Sequence, residues 1–307
     1  AAVDAGVGSV MVSFNEIDGV PASGNKWLVD DVLRKQWKFN GFVVSDYTGI
    51  PEMVNHGMGD YQAVNALSLN AGVDMDMVGE GFLNTLKKSM QEGKVSLAQI
   101  NKACERILEA KYKLGLFDDP YKYCNEQRSA TEVFTAANRA EARKIASQSF
   151  VLLKNNNHIL PLSAGKKIAL VGPLANAKEN MTGTWSVGAD NSQSVSLLKG
   201  LTDAIGSNGK LVYAKGSNLE DDEEMQKRQT MFGKDIARDG RTAEQMIQEA
   251  ISVSADADVI VAALGEGAES SGESASKSEI DIPYAQKRLL KALLATGKPV
   301  VLVLFNG

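Results

Sequence analysis

Gly41-Phe42-Val43-Val44-Ser45-Asp46-Tyr47 is the stretch from which the rest of this chain is read. Phe42, Val43 and Val44 form a near-continuous apolar run, the pattern of a parallel strand covered on both faces. Such a strand has no polar task until it ends, and this one ends in Ser45, Asp46 and Tyr47. In α/β folds, ligands and chemistry gather beyond the carboxyl ends of the strands. A carboxylate there is either a helix cap or a catalytic group. On spacing alone the cap is the commoner role; the surrounding sequence reverses that order.

Working outward, strand-like and helix-like runs alternate to both ends of the chain, which predicts α/β architecture. Strands are expected over 9–15, 42–44 and 72–77, with helices over 26–37, 61–70, 82–92 and 97–114. In the last of these, Ile100, Ala103, Cys104, Ile107, Leu108 and Lys111 recur at helical spacing, so Cys104 is expected in the core. Periodicity stops at Phe117-Asp118-Asp119-Pro120. A helix over 135–147 leads into an apolar run over 150–154, and the β/α rhythm then restarts. Its strands are expected over 168–171, 211–214, 258–264 and 299–305, and its helices over 194–205, 243–254 and 284–296. The chain therefore reads as two domains, residues 1–118 and 149–307, joined by a linker over 119–148. Three strands with their helices are too few to close a barrel alone.

At 307 residues the chain can bury one large core or two moderate ones, and its 44% hydrophobic, 23% charged composition is that of a globular protein. A net charge of -5 argues against a nucleic-acid partner, which needs a basic surface. No apolar stretch is long enough to span a bilayer. Cys104 and Cys124 belong to no metal-ligand spacing, and the two histidines, His56 and His158, are far apart in sequence. A zinc site or a Ser-His-Asp triad is poorly supported, and neither metal nor cofactor is expected. Ala1-Ala2-Val3-Asp4-Ala5-Gly6 reads as the tail of a helix entering a strand, and residues 300–307 stop just after a buried one. Both ends suggest a segment of a longer protein.

The second informative feature is a polar loop over 265–283, placed after the buried run Val-Ile-Val-Ala-Ala-Leu. Loops between strand and helix usually hold ~2–6 residues, so one this long is functional or mobile. Its first part, residues 265–273, carries Glu266, Glu269 and Glu273 among glycines and serines. Gly265-Glu266-Gly267 lacks the third glycine of a dinucleotide fingerprint, and its acid would repel a pyrophosphate. Two carboxylates on different strand ends, without metal ligands, suit acid/base chemistry on an acetal. Glycoside hydrolysis needs one ionised carboxylate at the anomeric carbon and one protonated carboxyl at the leaving oxygen. In the retaining form the two stand ~5–5.5 Å apart and the first is a nucleophile. Asp46, rigid on a strand end, fits the nucleophile. A loop glutamate fits the acid, because covering the site would desolvate it and raise its pKa.

Several segments in order resemble glycoside hydrolase family 3, and the bacterial periplasmic β-glucosidases within it. They are VMVSFNEIDGVPASG (10–24), WLVDDVLRKQWKFNG (27–41), the Phe42 strand, AGVDMDM (71–77), YKLGLF (112–117), ALVGPL (169–174), GTWS (183–186) and KPVVLVLFNG (298–307). The resemblance covers essentially the whole chain. It implies the C-terminal part of a (β/α)₈ barrel followed by part of an α/β sandwich domain, with the active site between them. By resemblance Asp46 is the nucleophile. Glu273, in Gly272-Glu273-Ser274-Ala275-Ser276-Lys277, matches the acid/base on the sandwich-domain loop. Relatives often carry Arg where Lys277 stands, so a bidentate contact would be lost. Met11 and Phe14 match positions lining the glucose pocket, Tyr47 an aromatic beside the nucleophile, and Ser186 a serine reaching in from the second domain. For Met11, Phe14 and Tyr47, core packing is the alternative role.

The resemblance implies a retaining, exo-acting β-glucosidase that hydrolyses terminal β-D-glucosyl residues of short β-glucosides or oligosaccharides through a covalent glycosyl-enzyme. The alternatives are β-xylosides or longer β-glucans as substrates, or a catalytically incomplete sugar-binding fragment. A periplasmic or secreted location is implied, and a homodimer is one assembly compatible with it. The family's sugar-clamping residues lie in an earlier half of the barrel, so the 307-residue segment alone is expected to be inactive.

Overall fold

The first apolar run forms strand β1 (Ser9–Val12), followed by a two-residue antiparallel hairpin, β2 (Glu16–Ile17) and β3 (Val20–Pro21), turning at Asp18-Gly19. The computed structural model describes residues 1–163, 165–186, 188–231, 234–273 and 275–307, in two compact units, Ala1–Gln148 and Ser149–Gly307. In the first unit, helix Trp27–Gln36 carries the chain to β4 (Phe42–Ser45), which lies parallel to β1 in the register Ser9↔Phe42 to Val12↔Ser45. That helix is wound wide, its end closed by the Trp37 N–H on the Val32 carbonyl. It turns Val29 and Leu33 onto Val12, Val43, Ile50, Met53, Val64 and Val73, the main core of this unit.

The strand expected over 72–77 is reduced to a single bridge, Val44↔Met75. Side-chain acceptors explain this. The Val43 N–H goes to the Asp74 carboxylate at 2.8 Å, and the Met77 N–H goes to the Ser45 hydroxyl at 2.8 Å, so two places in the ladder are filled without a main-chain carbonyl. Helix Tyr61–Ala71 is capped by Asp60, whose side chain accepts the Ala63 N–H, and ends at Gly72 with φ +108. Gly72 supplies the left-handed turn that other residues resist.

Helix Leu97–Lys113 corrects one expectation: Cys104 is exposed. The helix buries Ala103 against Ala66, Leu69, Leu86 and Val95, and Cys104 stands one residue, ~100°, around the cylinder. Helix Ala136–Ser149 has no buried residue, and the apolar run after it, Phe150 to Leu153, is exposed without regular structure.

The second unit is a four-stranded parallel sheet of β5 (Lys167–Val171), β6 (Lys210–Ala214), β7 (Val259–Gly265) and β8 (Val300–Phe305), in the spatial order β6-β5-β7-β8. Alternation sorts its side chains. Ile168, Leu170, Val259, Val261 and Ala263 meet Leu197, Leu198 and Leu201 of helix Leu197–Ile205 on one face. Ala169, Val171, Ile260, Ala262 and Leu264 meet Ala250 of helix Ala243–Ser254, and Leu289 and Leu293 of helix Tyr284–Ala295, on the other. β7 is buried along its whole length, as its unbroken apolar run requires. The chain leaves β5 for one neighbour and returns on its other side to β7. The loops after these two strands therefore diverge at a topological switch point, where open α/β sheets bind ligands.

Candidate active site

Asp46 is the first residue past β4, and its N–H donates to the Val12 carbonyl at 3.2 Å, so its backbone is fixed by β1. Behind it, the buried Ser45 hydroxyl donates to the Asp46 carbonyl at 2.9 Å while accepting the Met77 N–H. The Asp46 side chain is half-buried. One carboxylate oxygen, Oδ1, accepts the N–H of Tyr47 at 2.7 Å; Oδ2 makes no hydrogen bond with the described residues. The short helix that follows, Gly49–Glu52, starts at Thr48 in a left-handed conformation, with no side-chain cap. Asp46 is therefore not a cap, and the structural role favoured by spacing alone does not apply.

The neighbours come from the same strand ends. At Gly49, a Cβ would lie 3.4 Å from Asp46 Cβ, 3.4 Å from Ser23 Oγ and 3.5 Å from the Phe14 ring, so a glycine lets these three close together. Met11 pairs with Val44 on the open face of the strand pair and is 53% exposed. Tyr47 is 59% exposed. The structure thus gathers Met11, Phe14, Asp46 and Tyr47 at the carboxyl ends of β1 and β4, with Tyr47 and Met11 outside the core.

In the second unit, Ser186 and Glu273 lie on the two loops that diverge at the switch point. Glu273 is exposed and makes no hydrogen bond or ion pair with the described residues; Ser274 beside it lies outside them. Ser186 donates to the Gly183 carbonyl at 3.0 Å. The long loop after β7 is held at many points. Gln286, fully buried, accepts the Gly265 N–H and donates to the Gly265 carbonyl, both at 2.8 Å. Asn180 accepts the Ala268 N–H at 2.7 Å. Glu269 is bound by the Lys234 ammonium at 2.6 Å and by the Thr184 hydroxyl at 2.8 Å. Lys277 pairs with Glu266 and not with Glu273. Of the three acids in the loop's first part, residues 265–273, Glu266 and Glu269 are paired with lysines, while Glu273 is exposed with no cation on it among the described residues.

Near this loop the Glu220 carboxyl is pushed above the usual range, first by burial, against a partly offsetting hydrogen bond from Gln229 at 2.5 Å. Gln229 also accepts the Gly267 N–H at 3.4 Å, which ties Glu220 to the loop. None of Ser45, Asn180, Thr184, Lys234 and Gln286 stands out in sequence as a supporting residue. Ser45 alone carries a local signal, a hydroxyl inside an otherwise apolar strand.

Residues 1–110 match the model of the glycosyl hydrolase family 3 N terminal domain, and residues 150–307 that of the glycosyl hydrolase family 3 C-terminal domain. The chain is 40% identical over 311 residues to a periplasmic beta-glucosidase of Salmonella typhimurium, covering 100% of this chain and 41% of that protein. It is 34% identical to a beta-xylosidase of Formosa agariphila, covering 100% of this chain and 42% of that protein. Its fold superposes on the crystal structure of a beta-glucosidase from Listeria innocua in complex with glucose, with TM-score 0.83 and 34% identity, over 99% of this chain and 39% of that one. The chain thus spans about two fifths of the length of these relatives. Its first unit is part of the family's N-terminal barrel and its second is the α/β sandwich portion. A strand-end aspartate that caps nothing, a switch-point loop bearing an outward glutamate and two matching domain models together place this chain in glycoside hydrolase family 3.

Proposed function

We propose that the protein is a retaining, exo-acting β-glucosidase, with Asp46 as nucleophile and Glu273 as acid/base. The observation that carries this reading is the state of Asp46: fixed by its backbone, bonded through one oxygen only among the described residues, and held at a strand tip. Asp46 Oδ2 attacks the anomeric carbon as Glu273 protonates the leaving oxygen. Water, deprotonated by Glu273, then releases the sugar from the acylal formed with Asp46. Met11, Phe14 and Tyr47 shape the sugar side of the pocket, and Ser186 adds a hydroxyl from the loop after β5. The domain limits we propose are 1–118 and 149–307 around a linker, in keeping with family models that cover 1–110 and 150–307. A periplasmic or secreted location is supported by the Salmonella relative's name.

The test is a pair of variants of the full-length protein. Asp46→Asn should abolish turnover of aryl β-glucosides; near-normal activity would refute its role. Glu273→Ala should lose ~10²–10⁴-fold on substrates with poor leaving groups and far less on activated aryl glucosides. Equal loss on both would move the role to Glu266 or Glu269. A β-xyloside specificity is the second reading, favoured by the 34% identity to the Formosa enzyme.

A further inference from the structure

We infer that Lys234 is a positioning residue for the acid/base: its buried ammonium locks together the loops that carry Glu273 and Ser186. The inference rests on the reading of Glu273 given above.

Lys234 is 2% exposed, and a lysine is rarely buried so fully unless its charge is met. Here it is met from two loops. The ammonium donates to Glu269 Oε1 at 2.6 Å, in the loop after β7, and to the Thr184 carbonyl at 2.7 Å, in the loop after β5. Thr184 closes the triangle, its hydroxyl donating to Glu269 Oε2 at 2.8 Å. Both oxygens of a carboxylate only 9% exposed are thus occupied. Lys234 itself comes from a third segment, between helices Glu223–Gln229 and Ala243–Ser254. Three stretches of chain that share no local pattern are pinned at one charge.

The link to Glu273 is steric. A Cβ built on Gly272 would fall 2.7 Å from Thr184 Oγ1 and 2.9 Å from Glu269 Oε2. The loop therefore passes directly over the pinned pair at the residue before Glu273, and the Gly272 N–H returns to the Glu269 carbonyl at 3.2 Å. Ser186 stands two residues beyond Thr184 on the other loop. Lys234 touches neither Glu273 nor open solvent, so it acts on the reaction only through where it holds these loops. Breaking a buried ion pair by removing one partner leaves the other charge uncompensated, and the segment must move to solvate it. Glu269 shares its turn with Glu273, so a shift of its carboxylate toward water carries the strain into the turn that bears Glu273.

The experiment measures kcat/KM of full-length Lys234→Met, Thr184→Val and Glu273→Ala on two substrates, an alkyl β-glucoside and a dinitrophenyl β-glucoside, with and without azide. Misplacing a proton donor by about an ångström can cost ~10²-fold, so Lys234→Met should lose ~10²-fold on the alkyl substrate. Its loss on the dinitrophenyl substrate, which needs little protonation, should stay within about tenfold, with azide accelerating turnover as it does in Glu273→Ala. Thr184→Val keeps the ion pair and removes one bond to the carboxylate; it should show the same split at about tenfold on the alkyl substrate. It also carries the test if Lys234→Met does not fold. Equal losses on both substrates in these variants, beside a split in Glu273→Ala, would overturn the inference alone. No split in Glu273→Ala would instead overturn the acid/base assignment on which it stands.

Discussion

Asp74 and Asp46 both flank strand segments of the first unit, and their surroundings separate their roles. Asp74 is buried with every oxygen taken: Arg34 at 2.5 Å and the Val43 N–H at 2.8 Å on one, Arg106 at 2.7 Å on the other. Burial pulls the Arg34 guanidinium below its usual range, and Asp74 is the opposing charge that holds its proton. The group sits at the entry end of β4, the end of barrel strands that serves stability rather than chemistry. Asp74→Ala would strand Arg34 in the core and should cost about 3–5 kcal/mol, seen as a lower urea midpoint. Asp46→Asn, by contrast, removes no paired charge and should shift stability by no more than about 0.5 kcal/mol while turnover is lost. Glu220 offers a pH test. Its folded pKa is raised, so the native state keeps that proton to higher pH than the unfolded chain does. The resulting penalty is absent below about pH 4, where both states are protonated, and is complete above the raised value. Glu220→Gln should therefore be more stable than the parent at pH 7 and indistinguishable in this respect at pH 3, read by urea unfolding at both. The place of Asp46 at a strand end is legible because an apolar strand stops at it. Glu273 is singled out by resemblance alone, since Glu266 and Glu269 stand beside it among the same small residues. Lys234 was invisible, since its partners lie 35 and 50 positions away in sequence.

Elements were read best where burial imposes a period. β4, β5, β7 and β8 and their connecting helices follow from apolar runs and 3.6-residue stripes, which survive folding because each packs on a continuous core. The strand over 72–77 failed because its pairing was taken over by Asp74 and Ser45, a long-range exchange that no local pattern records. Cys104 failed because an apolar stripe on a helix is wider than the contact it makes. The end of β7 is the element on which the second unit's loop depends. Gly265 has φ +138, and a Cβ there would lie 1.9 Å from the Phe305 carbonyl oxygen of β8. Its N–H and carbonyl are both held by the buried Gln286 side chain. Gly265→Ala should therefore push β8 away and destabilise by more than about 1 kcal/mol. Hydrogen exchange should locate the loosening at β7 and β8 and leave β1 and β4 unchanged; uniform loosening of the protein would contradict this account.

At the scale of the molecule the open choice is the sugar. The relatives include a β-glucosidase at 40% identity and a β-xylosidase at 34%, and their substrates differ by the hydroxymethyl group that a xyloside lacks. A pocket that merely has room for that group gains ~10–200-fold from its contacts, whereas one that hydrogen-bonds its hydroxyl can reject the shorter sugar by ~10⁴-fold or more. Within this chain the surfaces near Asp46 are Met11, the Phe14 ring and Tyr47, two apolar side chains and one exposed phenol. Phe14 brings no hydroxyl of its own. Met11 and Phe14 offer contact rather than hydrogen bonding, so the share of the discrimination that this chain supplies should be of the modest kind. We expect full-length protein to prefer an aryl β-glucoside over the matching aryl β-xyloside by about 10–200-fold in kcat/KM. The preference should reside in the sugar and not in charge. A neutral glycoside is not steered by a net charge of -5, so the ratio should hold between low and physiological salt. A preference for the xyloside would reverse the substrate assignment while leaving the roles proposed for Asp46 and Glu273 untouched. Binding of glucose without turnover of either glycoside would favour a sugar-binding protein over an enzyme.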